Sequence, residues 1–139
     1  MSAADQLRKL LPDLYAAFSS GDATAWTEHL ADDVVGIGSD PDEWWEGRDV
    51  LAQVLDAQMR EISGAGGRLT AREPRVFERG DVAWAVDAPT LRLGDGTEMP
   101  MRVTLVAVSD AGTPRLRHFH FSVGAANEQI FGQELTTSG

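Results

Sequence analysis

Apolar residues near the start of the chain recur at three- and four-residue spacing. Leu7, Leu10, Leu11, Leu14 and Phe18 fall on one face of a helix. Ser2 with Asp5 three residues later reads as a capping box in which Asp stands in for the usual Glu. Pro12 sits inside this pattern and predicts a kink or a restart, because it has no N–H to donate. Gly21 predicts the helix end, and Asp22 predicts the N-cap of a shorter helix holding Trp26 and Leu30. A third helix is predicted after Gly47, with Leu51, Val54, Leu55, Met59 and Ile62 on one stripe.

Beyond Gly67 the period changes to two. Val82, Trp84, Val86 and Ala88 alternate with Ala83, Ala85 and Asp87. Met101, Val103, Leu105 and Ala107 alternate with Arg102, Thr104, Val106 and Val108. Phe119, Phe121 and Val123 alternate with His118, His120 and Ser122. Arg79-Gly80-Asp81, Asp95-Gly96 and Asp110-Ala111-Gly112 divide these runs as turns, Asp-Gly being a strong hairpin signal. Helices followed by a meander of long strands predict an α+β fold, with helices on one face of an antiparallel sheet.

The alternation also predicts faces. The larger apolar residues Trp84, Val86, Met101, Val103, Leu105, Phe119 and Phe121 are expected to face the helices. The opposite face then carries Asp87, Arg102, Thr104, His118, His120 and Ser122, but also Ala83, Ala85, Val106 and Val108. So apolar a mixture predicts a homodimer burying this outer face, with Asp87, Arg102, Thr104, His118 and His120 at the contact.

Composition narrows the picture. The 139 residues suit one domain, expected to have its core at about 5–125 and a tail at 126–139. There is no cysteine, which excludes disulfides and thiolate metal sites. The formal net charge of −10 argues against nucleic acid and anionic membrane as partners. No apolar run is long enough to span a bilayer, and charge interrupts the N-terminal segment, so a cytoplasmic location is expected.

Several phrases carry a family resemblance: Phe18-Ser19-Ser20-Gly21-Asp22, Leu30-Ala31-Asp32-Asp33-Val34, Trp45-Glu46-Gly47-Arg48-Asp49 and Leu116-Arg117-His118-Phe119-His120-Phe121-Ser122. In this order, from Leu7 to Val123, they resemble the SnoaL-like branch of the nuclear transport factor 2-like superfamily. The resemblance implies a cystatin-like cone, or α+β barrel: a curved antiparallel sheet wrapped around N-terminal helices, with a pocket between them and frequent dimers. It does not fix an activity, because the fold hosts isomerases, cyclases, hydrolases and binders. Ketosteroid isomerase needs an aspartate base, a tyrosine and a protonated aspartic acid. On that pattern the base falls at Gly38, the tyrosine at Leu14 and the acid near Leu105, so all are lost. Tyr15 and Asp40 lie close by, but a one-residue step on a helix turns the side chain by ~100°.

The expected pocket takes Leu14, Tyr15, Phe18, Trp26, Leu55 and Met59 from the helices. The sheet supplies Trp84, Val86, Met101, Val103, Phe119 and Phe121, and Trp44 or Trp45 grips a ligand at the mouth. Among the carboxylates Asp32, Asp33, Asp40, Asp42, Glu43, Glu46 and Asp49, a general base at the mouth would be Asp40, or after it Glu46. A solvated acidic loop is the plainer reading of that run. His118 and His120 project from one strand face and could act as acid and base or as metal ligands, but the sequence offers only guesses such as Asp87 for a third ligand, and their place on the outer face favours hydrogen bonding across the dimer interface with Arg102, Thr104 or Asp87. No serine-nucleophile elbow, phosphate loop, dinucleotide fingerprint or EF-hand occurs. The sequence therefore predicts a dimeric binder of an apolar small molecule, with no metal and no cofactor. The alternative is a cofactor-independent isomerase, cyclase or dehydratase on a polyketide- or terpenoid-like substrate.

Overall fold

The computed structural model describes the whole chain, Met1–Gly139. Helix α1 spans Ala3–Ser20, α2 Thr24–Thr27 and α3 Arg48–Gly64. Ser2 caps α1, its hydroxyl accepting from the Asp5 N–H at 3.1 Å. Hydrogen bonding to Ser2 holds the Asp5 carboxyl below its ordinary value. Glu78 caps the same end from the sheet, accepting from the Ala4 N–H at 2.8 Å. Pro12 neither ends nor restarts α1, which runs through it as one helix. Its ring lies on the exposed side, where water can satisfy the carbonyl it leaves free, while Leu7, Leu10, Leu11 and Leu14 anchor both halves. Gly21 ends the helix at φ 73°. Asp22 Oδ1 accepts from the Thr24 N–H at 2.9 Å, although the N-cap itself is Ala23, and α2 ends at Thr27, so that Leu30, expected within it, instead opens the first strand, where it pairs with Leu116.

The strands are β1 Leu30–Ile37, β2 Trp44–Glu46, β3 Arg68–Thr70, β4 Arg75–Arg79, β5 Val82–Asp87, β6 Thr90–Arg92, β7 Glu98–Asp110 and β8 Thr113–Val123. A short helix, α4 Asn127–Phe131, follows. The sheet order is β2-β1-β8-β7-β5-β4, with β6 pairing both β3 and β7. Every pair is antiparallel except β1 with β8, which run parallel. These two strands are separated by most of the chain, so the long crossover that parallel pairing requires is available. The sheet curves around α1 and α3, closing a core of 26 buried residues. Trp26 is fully buried at its centre, donating Nε1–H to the Leu14 carbonyl at 2.8 Å and meeting Phe119 edge-on at 5.1 Å. No helix is long and apolar enough to cross a membrane.

The strand faces agree with the sequence pattern on β7 and β8 and are reversed on β5. Met101, Val103, Leu105, Phe119 and Phe121 are buried under the helices. On β5, however, the buried residues are Ala83 and Ala85, while Trp84 and Val86 point outward. The register enforces this, because Ala85 pairs with the buried Leu105 and Trp84 with the outward Val106. Helix α1 packs directly on β5, so small side chains are required beneath it. Trp84 and Val86 are thereby removed from the inner lining. Asp87 shares the inner side with Ala85 and leaves the expected dimer face. Its carboxylate accepts the Tyr15 hydroxyl at 2.7 Å, the Glu73 N–H at 2.9 Å and the Ala88 N–H at 2.8 Å.

Candidate functional site

A cavity of about 280 Å³ opens between α3 and the inner face of the sheet. Phe18 of α1, Leu55, Met59 and Ile62 of α3, and Trp45, Leu91, Met101, Phe119 and Phe121 of the sheet form its apolar wall. The α3 residues reach it because positions 55, 59 and 62 share one face of the helix. Phe119 can lie against β1 because residue 36 is glycine; a Cβ there would come within 2.6 Å of the ring.

The rim is polar and acidic. Glu43 sits on the β1–β2 turn, which is closed by the Gly38 N–H donating to the Glu43 carbonyl at 2.8 Å and the Glu43 N–H donating to the Asp40 carbonyl at 2.9 Å. Its carboxylate is held from both sides: Oε1 accepts from the Asp40 N–H at 2.9 Å and Oε2 from Gln58 Nε2 at 2.7 Å. Gly38 makes room for it, since a Cβ at that position would meet Glu43 Oε1 at 2.7 Å. The carboxylate thus fills space that a side chain at position 38 would occupy. Glu61, Ser39 and Gln58 complete the rim, and no Lys or Arg lines the cavity. A ligand entering meets apolar walls and a fixed hydrogen-bond acceptor, which suits a neutral or cationic molecule with an O–H or N–H.

Of the residues expected in a pocket, Phe18, Trp45, Leu55, Met59, Met101, Phe119 and Phe121 line this cavity. Leu14 and Trp26 are fully buried core, and Val103 is buried beside them. Tyr15 lines a separate groove on the other side of α1. Trp44 is 62% exposed and lies on the outer face, because it pairs with Ile37 while its neighbour Trp45 pairs with Gly36. Asp40 and Glu46 are exposed and outside the cavity; Asp40 uses Oδ1 to accept from the Asp42 N–H at 2.8 Å. Of the acidic run, Glu43 is the carboxylate at the mouth, as the turn places its side chain over Gly38 and sends Asp40 to solvent. Gln58, also absent from the expected site, carried a readable signal: it lies three residues after Leu55 and one before Met59, a polar residue bordering the apolar stripe of α3.

The histidines are on the outer face. His118 Nδ1–H donates to the Val35 carbonyl at 2.8 Å, and its ring lies 6.5 Å from that of His120. No group of three ligating side chains forms around them or elsewhere. Cross-strand register lays two rows over this face: Trp44, Ile37, His120, Thr104, Val86 and Arg75, and beside it Glu46, Val35, His118, Val106, Trp84 and Phe77. Phe77 stacks on Trp84 at 5.7 Å, and Arg75 lies over Phe77 at 5.1 Å. Arg102 also belongs to this face, its Nε–H donating to Ser122 Oγ at 3.0 Å.

Comparison with known proteins places this geometry. The sequence matches the SnoaL-like domain over residues 7–126. No protein of curated function matches it. An NTF2-like protein of unknown function from Pseudomonas putida KT2440 superimposes with a TM-score of 0.81 at 19% identity, covering 99% of this chain and 96% of that one. An NTF2-like protein with a cystatin-like fold from Novosphingobium aromaticivorans gives a TM-score of 0.73 at 20% identity, with 93% and 88% covered. A CaMKII hub from S. rosetta gives 0.68 at 22% identity, with 87% and 96% covered. At these identities the structural likenesses establish the fold alone. The match over 7–126 shows that the chain belongs to the SnoaL-like domain family.

Proposed function

We propose that this protein is a homodimeric binder of a small apolar molecule, held in the α3 cavity by its apolar wall and hydrogen-bonded at the mouth to Glu43. The observation that carries this reading is the pairing of nine-residue apolar lining with one carboxylate fixed on both oxygens. A ligand O–H or N–H would use a lone pair that Gln58 and Asp40 leave free. The acidic rim disfavours carboxylic acids, because a second anion would meet Glu43 and Glu61 without a counter-charge. The outer sheet face would be covered by a second copy, with Val106 near its centre and Trp84 and Trp44 toward opposite edges. The apolar members of its two rows, among them Ile37, Val35, Val86, Val106, Trp84 and Phe77, support this, and a CaMKII hub is among the structural relatives.

The test is titration with a neutral apolar dye, read by dye fluorescence. Filling the cavity with Leu55→Trp should weaken binding about tenfold or more, while Glu43→Gln should leave the dye unaffected. Glu43→Gln should instead remove a preference for hydroxylated over O-methylated ligands found by native mass spectrometry of co-purifying material. Dye affinity unchanged by Leu55→Trp would eliminate the cavity as the site.

A second reading rests on the same carboxylate. Glu43 could accept a proton from carbon beside a ligand carbonyl and return it elsewhere, giving cofactor-independent isomerisation, cyclisation or dehydration of a polyketide- or terpenoid-like substrate. Exchange of substrate C–H for deuterium from solvent, lost in Glu43→Gln, would establish it. Exchange that survives the substitution would dismiss Glu43 as the base.

A further inference from the structure

A second recess, an open groove of about 540 Å³, lies on the far side of α1 between that helix and strands β3 and β4. Its floor is apolar, from Leu11, Pro12, Leu69 and Val76. Arg68 and Arg8, the latter paired with Asp5 at 3.0 Å, lie along it, and no Asp or Glu lines it. In a chain of net charge −10 this is an unusual local balance. The complementary object is the tail. Residues 126–139 contain Glu128 and Glu134 and no Lys or Arg. They also expose Ile130 (62%), Phe131 (61%) and Leu135 (41%), and α4 buries nothing. Such apolar side chains left in water are a feature that sequence patterning alone does not call for.

The two surfaces are near neighbours on the molecule. Gly124, at the root of the tail, lines a recess with Thr70, Ala71 and Arg72, and Thr70 and Ala71 also border the groove. Within one chain, however, the tail stays undocked and the groove stays open. Each copy therefore carries one unfilled apolar groove with basic rims and one uncovered apolar segment with acidic residues. Reciprocal exchange satisfies both at once and closes as an isologous pair. We propose that the tail of one copy docks in the α1 groove of a second copy, placing Phe131 or Ile130 over Leu11 and Leu69 and its glutamates toward Arg8 and Arg68. This contact does not use the outer face of the sheet, so it stands or falls separately from the dimer above.

The absence of native cysteine permits a direct test with the full chain. One protein carries Ala71→Cys in the groove and another carries Gln133→Cys in the tail, both at exposed positions. Mixed and mildly oxidised, they should give the mixed disulfide in clear excess over either symmetric one. Ile130→Ser with Phe131→Ser in the tail protein should lower its yield about tenfold, as should Arg68→Glu in the groove protein. All these changes lie on the surface, so circular dichroism should stay that of the parent. A statistical mixture of disulfides, or a mixed yield indifferent to the serine substitutions, overturns the proposal. A single chain carrying both cysteines adds the decisive contrast. Covalent dimers support exchange, whereas a ring-closed monomer shows the tail in its own groove and overturns exchange between copies.

Discussion

The two faces of the sheet set neighbouring residues in opposite surroundings. Phe119 and His120 are adjacent on β8, yet Phe119 is 2% exposed against Trp26 while His120 faces outward. On β5 the sizes are inverted: alanines lie under α1 and Trp84 lies outside. Burial on this sheet is thus decided by how closely a helix approaches each strand, and side-chain hydrophobicity comes second. Where α1 presses on β5, only a methyl group fits; where β8 faces the wider space near α3, aromatic rings fill the gap and leave a cavity.

Truncating the inner face should have the largest effect. Phe119→Ala removes a ring from the centre of the aromatic cluster and should cost about 3–5 kcal/mol in urea unfolding. His120→Ala, one residue on, should cost within about 0.5 kcal/mol when compared in the same oligomeric state. Similar losses at the two positions would break the contrast between the faces.

On the outer face the measurable quantity is association. Trp84→Glu places a charge between Val106 and Phe77 on this face and should weaken the proposed dimer by about 2 kcal/mol, near thirtyfold, in analytical ultracentrifugation. The secondary structure should persist, because Trp84 packs on Phe77 and not on the core. Arg102→Glu on the same face should act in the same direction and less strongly. A dimer indifferent to Trp84→Glu would move the interface elsewhere.

Much of this was legible in the chain itself. Helices α1 and α3, the long strands β5, β7 and β8 and their turns follow from periodicity and from Gly21, Gly80, Gly96 and Gly112, whereas α2 is shorter than expected and α4 has no apolar stripe to announce it. Strand β1 was not, because Asp32 and Asp33 interrupt its alternation before Val34-Val35-Gly36-Ile37 begins, and it is secured by tertiary pairing with β8. The faces of β5 do not follow side-chain size, because the close approach of α1 buries Ala83 and Ala85 and turns Trp84 and Val86 outward, leaving Asp87 on the inner side. In the candidate site the apolar wall was partly readable, since it follows helix and strand periods. Glu43 was not distinguishable from its acidic neighbours, because the turn geometry that aims one carboxylate of the run over Gly38 has no periodic signature.

Asp87 is the exception that tests the comparison most finely, a charge on the inner side of the sheet. It is tolerated because Tyr15 and three backbone N–H groups donate to it, those of Arg72, Glu73 and Ala88. Tyr15→Phe should cost about 1–2 kcal/mol at neutral pH, the loss of one hydrogen bond to a carboxylate. Burial, with the Asp87 carboxylate second, raises the Tyr15 hydroxyl above its ordinary value of 10.0. The folded chain then keeps the tyrosine proton at a pH where the unfolded chain has released it. This contribution to stability is complete below pH 10.0 and is lost progressively as pH rises above it. Urea unfolding of the wild type and Tyr15→Phe from pH 8 upward should therefore give curves that are parallel at first and converge above about pH 10. Curves that stay parallel throughout would mean that Tyr15 ionises as freely in the folded chain as in the unfolded one, and that Asp87 is held on the inner face by its backbone donors alone.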